Sequence, residues 1–489
     1  MGSRLSHAQS LGSRLSANEA EFDMYVMRMA AFLQLERMEP HGSLLEAGLV
    51  EIWKEDCGDI NFLSHQWLGV KHPDPDCEQL RCVQQVFKTI LAGKADEIFR
   101  SDEDWGRYSK TRNYKTAKDG KIDCKLTQEQ HSRQEFVETI GKGCVWLDFA
   151  SVPQMSDIEK LPAEMASDMR YFFDQQAKAV RSIPHYVELT TNFWVVAPKC
   201  QHKDLDLACD FESWRRRGWC RLEDWVNELS VQANRPLIIE GPSDVWVEDF
   251  SVKMTSRAQS AFAVLNGDFS CCRMNHKLNG KSIPCDKGSV CDVLQTTYEY
   301  KLRHLRSTGD WLHFAWFQSL RPQILDGCGP CFPADETVQQ FLERYCWGQD
   351  CEGADTDVPV FFPLFCAATE GNVPAVRGLL ALGADPARRL LGVGTSPLEA
   401  AALCGHREIC TVLLEAKAEL DGKSQIDGCT ALDKAAQSGS ACVELLLAAN
   451  ADTALRNNEG RTPAETAEHH GHIEAAALLR AAPVTEPEL

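Results

Sequence analysis

Apolar positions along the chain change their spacing several times, and each change predicts a different kind of element. Over residues 17–38, "ANEAEFDMYVMRMAAFLQLERM", Phe22, Tyr25, Met29 and Phe32 recur every three or four residues. That spacing predicts an amphipathic helix within 17–43, closed by "EPHGS". From about residue 44 the apolar runs shorten. "DINFLSH" (59–65), "CVWLDFAS" (144–151), "NFWVVAP" (192–198) and "PLIIEG" (236–241) are nearly continuous and bounded by turn residues. Such runs suit parallel strands buried on both faces. Between them lie stretches of helical period, "DCEQLRCVQQVFKTILAG", "AEMASDMRYFFDQQAKAV" and "CRLEDWVNELSVQ". Strands alternating with helices predict a doubly wound α/β sheet over 44–241. Residues 100–133 interrupt it with "RSDEDWGRYSKTRNYKTAKDGK", a polar, charged stretch that predicts a solvated insertion.

Residues 242–347 predict a small Cys-rich α+β annex. A hairpin turning at Asn279-Gly280 leads to a helix opened by Asp286, and "DWLHFAWFQSLRP" follows as a second helix. The acidic, weakly apolar segment at 348–359 reads as a linker. Beyond it the chain repeats itself over 360–482. "FPLFCAATEGN", "TSPLEAAALCGH", "CTALDKAAQSGS" and "RTPAETAEHHGH" align, with Gly371, Gly405, Gly439 and Gly471 in register. Each unit continues into an apolar second helix. The period is about 33 residues, and the four units resemble the ankyrin repeat, an all-α solenoid whose members bind proteins.

Composition narrows the function. With 71 acidic against 51 basic side chains the net charge is −20, which repels phosphate backbones and excludes nucleic acid as the expected partner. No stretch reaches the roughly 20 apolar residues that span a bilayer, and no secretion signal is expected. The 21 cysteines are scattered, the pattern of reduced thiols in a cytoplasmic protein. "MGSRLS" fits an acylation signal at Gly2, so membrane attachment is expected only if Gly2 is myristoylated. Cys271, Cys272, His276, Cys285 and Cys291 are zinc-ligand types, but their spacing matches no common zinc module. Buried thiols around the hairpin are the expectation there, and no metal ligand or cofactor is assigned.

The stretch "RRRGWCRLEDW" (215–225) places Trp219 and Glu223 one turn apart on one face of a helix start. A glutamate there suits the helix dipole and neighbouring arginines without further purpose. Cys220, beside those arginines, is in principle a thiol of lowered pKa, though packing accounts for it as well. Three segments in order add a second reading. "FLSHQWLG" (62–69), "VWLDFASVPQ" (145–154) and "RRGWCRLE" (216–223) resemble motifs of the heterokaryon-incompatibility domain and of its relative the TIR domain. Trp219, Cys220 and Glu223 match the Trp-Cys-x-x-Glu of TIR sequences position for position.

The resemblance spans about 55–240 and implies a flavodoxin-like sheet. It also implies cleavage of the nicotinamide–ribose bond of NAD, here a substrate rather than a cofactor. Glu223 would be the catalytic carboxylate. Trp219, Phe62, Ser64, His65, Trp67 and Asp148 would line the substrate site at the carboxyl ends of two strands. Two functions stay open. In one, the repeats bind a protein and the α/β domain, once self-associated, hydrolyses NAD or a related nucleotide. In the other, both halves are interaction modules of a non-enzymatic adaptor.

Overall fold

Ile60–His65, buried along its whole length, is the central strand of a seven-stranded sheet. The computed structural model describes residues 20–116, 122–129, 132–154, 169–231, 233–248, 263–273, 275–278, 281–282, 285–333, 336–347, 362–390, 394–425 and 427–482. The signal at Gly2, the linker at 348–359 and the turn at Asn279-Gly280 lie outside the described residues. Contacts divide the chain into two compact units. The first holds residues 1–111, 127–249 and 267–301, and the second 112–126, 250–266 and 302–489.

The strands of this sheet are β1 (Tyr25–Arg28), β2 (Glu51–Ile52), β3 (Ile60–His65), β4 (Cys144–Trp146), β5 (Asn192–Val196), β6 (Leu237–Gly241) and β7 (Asp244–Trp246). They lie in the order β7-β6-β5-β3-β4-β1-β2. β4, β3, β5 and β6 run parallel, and β1, β2 and β7 pair antiparallel at the flanks. The chain leaves β3 for β4 on one side and returns for β5 on the other, which makes β3 the topological switch point.

Apolar residues alternate across this sheet between two layers. Phe62 is in register with Trp146 and Phe193 on the adjacent strands, and its ring stacks on theirs at 4.3 and 5.1 Å. Leu63, Val145, Trp194 and Ile239 share a second core with Val86, Phe87 and Ile90 of α1 (Glu78–Leu91) and with Phe136 and Ile140 of α2 (Arg133–Lys142). α3 (Met169–Glu188) packs against α5 (Gly218–Leu229), which α4 (Phe211–Arg216) precedes. Tyr186 of α3 meets Trp146 on the Phe62 side. α6 (Asp286–Thr308) opens at the residue expected of it.

Three sequence expectations are corrected here. The N-terminal amphipathic helix is replaced by β1 and a single helical turn, Met29–Phe32. A helix would set Met27 opposite Phe22, Tyr25, Met29 and Phe32, whereas the extended chain buries Met24, Val26 and Met27 and gives β4 a hydrogen-bonding neighbour. The insertion begins as helix Asp102–Ser109, whose Trp105 packs between Phe99 and Phe136, so its first part is core rather than solvated. The boundary at 241 falls one strand early, because β7 completes the sheet, and the annex divides, 267–301 grouping with the first unit and 302–347 with the second.

The second unit stacks helices in pairs after α7 (Trp311–Ser319) and α8 (Val338–Arg344): α9 (Pro363–Glu370) with α10 (Val373–Ala381), α11 (Pro397–Cys404) with α12 (Arg407–Glu415), α13 (Ala431–Ser438) with α14 (Cys442–Ala448), and α15 (Pro463–His469) with α16 (Ile473–Ala481). Ser396, Thr430 and Thr462 cap their helices through the backbone N–H three residues on. Ala367, Ala401 and Ala435 are fully buried, which lets neighbouring helices approach closely. Gly371 ends α9 at φ +82°, and a β-carbon there would lie 2.7 Å from the ring of His406. That ring bonds the Thr369 carbonyl at 3.0 Å, and His472 does the same to Gln437 two units later. Ala315, Phe341 and Tyr345 extend the same core, so α7 and α8 cover the first pair.

Candidate functional site

Consecutive side chains of a strand point to opposite faces, and the last two residues of β3 thereby reach helices on both sides of the sheet. Ser64 donates its hydroxyl to Glu223 Oε2 of α5 at 2.5 Å and accepts the indole N–H of Trp214 of α4 at 3.1 Å. His65 Nδ1 lies 2.9 Å from Gln79 Oε1 of α1, and its Nε2 lies 2.8 Å from Asp148 Oδ1, just beyond β4. The Gln79 amide N–H₂ already donates to the Gln66 carbonyl, which leaves its oxygen as the acceptor. Both imidazole nitrogens therefore face acceptors, the arrangement that suits an imidazolium. Asp148 also accepts the Trp67 indole N–H at 3.1 Å and the Phe149 backbone N–H at 2.5 Å.

The charges agree with this geometry. Burial would lower His65, but the charge and hydrogen bond of Asp148, with Gln79 and the charge of Glu223, raise it above its ordinary value. Burial would raise Asp148, and His65, Trp67 and the Phe149 N–H together hold it below its ordinary value. Glu223 is the exception. Burial pushes it up to about 8, the Ser64 hydrogen bond opposes this, the charge of Asp148 adds to it, and that of His65 subtracts. The geometry and these shifts favour the charged forms of His65 and Asp148 as a pair, beside a Glu223 carboxyl whose burial favours its neutral form. Glu223 is 8% exposed, whereas the Asp148 side chain is 35% exposed, so solvent reaches the cluster from the Asp148 side.

Five of the seven predicted site residues meet in two groups at the end of β3, Ser64 with Glu223 on one face and His65 and Trp67 with Asp148 on the other. Phe62 does not, being a core ring between Trp146 and Phe193. Trp219 sends its indole N–H to Asp286 at 3.0 Å. Glu223 is not held by the arginines before it: Arg215 faces Glu248, Arg216 bonds the Glu212 carbonyl and Arg217 bonds Ser270. Cys220 is 2% exposed, and burial pushes its thiol well above the ordinary value rather than below it. It is a packed group whose Sγ donates to the His65 carbonyl. Gln79 and Trp214 are members that the sequence reading missed. Trp214 sits close to the recognised motif, but Gln79 lies in an ordinary helix with no local signal.

The glycine of "RRGWC" has a steric origin. A β-carbon on Gly218 would meet the ring of Phe269 at 2.1 Å. Gly218→Ala is expected to cost about 1–3 kcal/mol in chemical denaturation of the full chain. Unchanged stability would mean that Phe269 moves aside freely.

In the second unit one helix pair is matched by comparison as well as by geometry. A family model of the ankyrin repeat matches residues 427–458, which contain α13 and α14. The chain carries ankyrin repeats. Ankyrin repeats imply protein–protein interaction. Among the described residues no helix is long and apolar enough to cross a membrane.

Proposed function

We propose that the ankyrin repeats dock a protein partner while the α/β domain cleaves the N-glycosidic bond of NAD or a related nucleotide, with Glu223 as the essential carboxyl group. The observation that carries this reading is that Glu223 meets Ser64, and Asp148 meets His65, where the parallel strands β3 and β4 end, beside the switch point. The parallel order β4-β3-β5-β6 is that of a flavodoxin-like sheet, which supports the likeness to TIR and incompatibility domains. In this reading the ionised Glu223 binds the ribose hydroxyls and stabilises the positive charge that develops on the sugar as nicotinamide departs. Asp148 and Trp67, on the solvent side, receive the substrate. Because the acid titrates near 8, turnover rises with pH through that value. Self-association of the α/β domain completes the active state. The protein acts in the cytoplasm, and at membranes only when Gly2 is acylated.

A second reading, an adaptor without chemistry, is favoured by the burial of Glu223 and by its bond to Ser64, which ties α5 to β3. The test is nicotinamide release from NAD by the full-length protein and by Glu223→Ala at several protein concentrations. Release that rises with concentration and falls at least about 100-fold in the variant is expected of the enzyme. Equal release from both removes Glu223 from the reaction, and no release from either at any concentration leaves the adaptor.

A further inference from the structure

We infer that Cys271, Cys272, His276 and Cys285 form a structural zinc site in the first unit. One ligand atom from each of these residues lies within 4.8 Å of every other. Cys272 Sγ is 3.9 Å from Cys271 Sγ, 3.9 Å from Cys285 Sγ and 3.7 Å from His276 Nε2. A tetrahedral zinc with ordinary bonds to sulfur and nitrogen places its ligand atoms roughly 3.5–3.8 Å apart. The three distances from Cys272 are close to the edges of such a tetrahedron. They are also far too long for disulfides, whose sulfurs sit about 2.05 Å apart, and the cysteines are free thiols.

The local chain is built to bring the four together. Ser270–Arg273 is a single helical turn that presents two successive cysteines. Asn275 and His276 then both take left-handed backbone conformations, φ 51° and 52°, and their N–H groups bond back to the Cys272 and Cys271 carbonyls. Two adjacent residues with β-carbons enter that region only when something holds them there. The reversal turns His276 onto Cys272. Lys277–Leu278 and Lys281–Ser282 pair antiparallel and return the chain to Cys285, immediately before α6. The Asp286 backbone N–H donates to Cys271 Sγ at 3.4 Å, the kind of outer hydrogen bond that orients a ligating sulfur.

Three thiolates and one imidazole fill a tetrahedral shell, so the site is closed and its role is structural. Soft sulfur with imidazole in this geometry selects zinc over hard cations. The carboxylate of Asp286 accepts the Trp219 indole N–H, so the metal fixes the start of α5, the helix that carries Cys220 and Glu223. The site does not depend on whether the α/β domain is an enzyme. Sequence spacing concealed it because the hairpin, not a short loop, closes the gap between His276 and Cys285.

The test is metal content of reduced full-length protein purified without chelator, joined to cobalt(II) titration of the metal-stripped protein. Stoichiometric zinc and the visible bands of tetrahedral, thiolate-bound cobalt are expected. Cys291→Ser, outside the cluster, and His276→Cys, which keeps four ligands, are expected to retain the metal. Cys285→Ser is expected to lose most of it while its far-UV circular dichroism stays that of the parent. A folded parent that contains no zinc and gives no tetrahedral cobalt spectrum overturns the site. So does full zinc retention by Cys285→Ser. The cobalt spectrum of the parent alone decides the matter should Cys285→Ser fail to fold.

Discussion

Arg344→Met is expected to destabilise the ankyrin unit by about 3–5 kcal/mol, the cost of leaving buried carboxylates without their cation. Arg344, on α8, bonds Glu336 through two nitrogens at 2.8 Å each and bonds Glu370 at 2.6 and 3.0 Å. Glu370 is 1% exposed and Glu336 5%. Tyr345 donates its hydroxyl to Glu370, and the Asn372 amide bridges both acids. Methionine fills much of the volume of arginine but leaves two buried negative charges facing each other. The readout is amide hydrogen exchange in the full-length protein. Peptides from 363–381 should exchange far faster in the variant. Adding Glu336→Gln and Glu370→Gln to Arg344→Met should recover most of the loss, because neutral amides remove the unpaired charge. Exchange unchanged by Arg344→Met would mean that solvent satisfies these acids, and the network would then contribute little.

Glu223→Gln is expected to flatten the pH dependence of stability in the first unit. Glu223 titrates near 8 in the folded chain against 4.5 as its ordinary value. A group whose pKa is raised by folding contributes stability that is fully present below its unfolded value and lost as pH rises through its folded one. The wild-type chain should therefore lose stability between about pH 4.5 and 8 from this residue, by at most about 5 kcal/mol. Glutamine keeps an acceptor for the Ser64 hydroxyl and cannot ionise. The difference between variant and wild type, followed by denaturant unfolding from pH 5 to 9, should grow with pH in favour of the variant. A constant difference would show that Glu223 is already ionised when folded, and the neutral acid in the site would be ruled out. The ion pair has the opposite signs within it. Raised His65 contributes stability below its folded value, and lowered Asp148 contributes stability lost on acidification.

The repeats were legible from sequence because everything that makes them is local. Helix caps at Ser396, Thr430 and Thr462 sit three residues before their acidic partners, and Gly371, Gly405 and Gly439 end helices in a backbone region that glycine enters freely. The buried strands β3 to β6 were legible for a related reason, since a strand covered on both faces is apolar over most of its length. The first strand was not legible. Its apolar residues satisfy a helical spacing as well as a strand, and only the free edge of β4 decides between them.

The candidate site divides along the same line. Sequence alone determined that Ser64 and His65 close β3 and that Asp148 follows β4, because the motifs that hold them mark those ends, whereas Glu223 falls in the middle of α5, beyond its first turn. Tertiary structure decided what they became. The opposite facing of neighbouring strand residues sent Ser64 to Glu223 and His65 to Asp148 and Gln79, and burial made one carboxyl an acid while pairing the other as an ion. It also drew Cys285 back to Cys271, Cys272 and His276. Spacing along a chain records local geometry, whereas charge state and metal-ligand geometry depend on which distant groups share a low-dielectric interior, and only the folded chain brings those together.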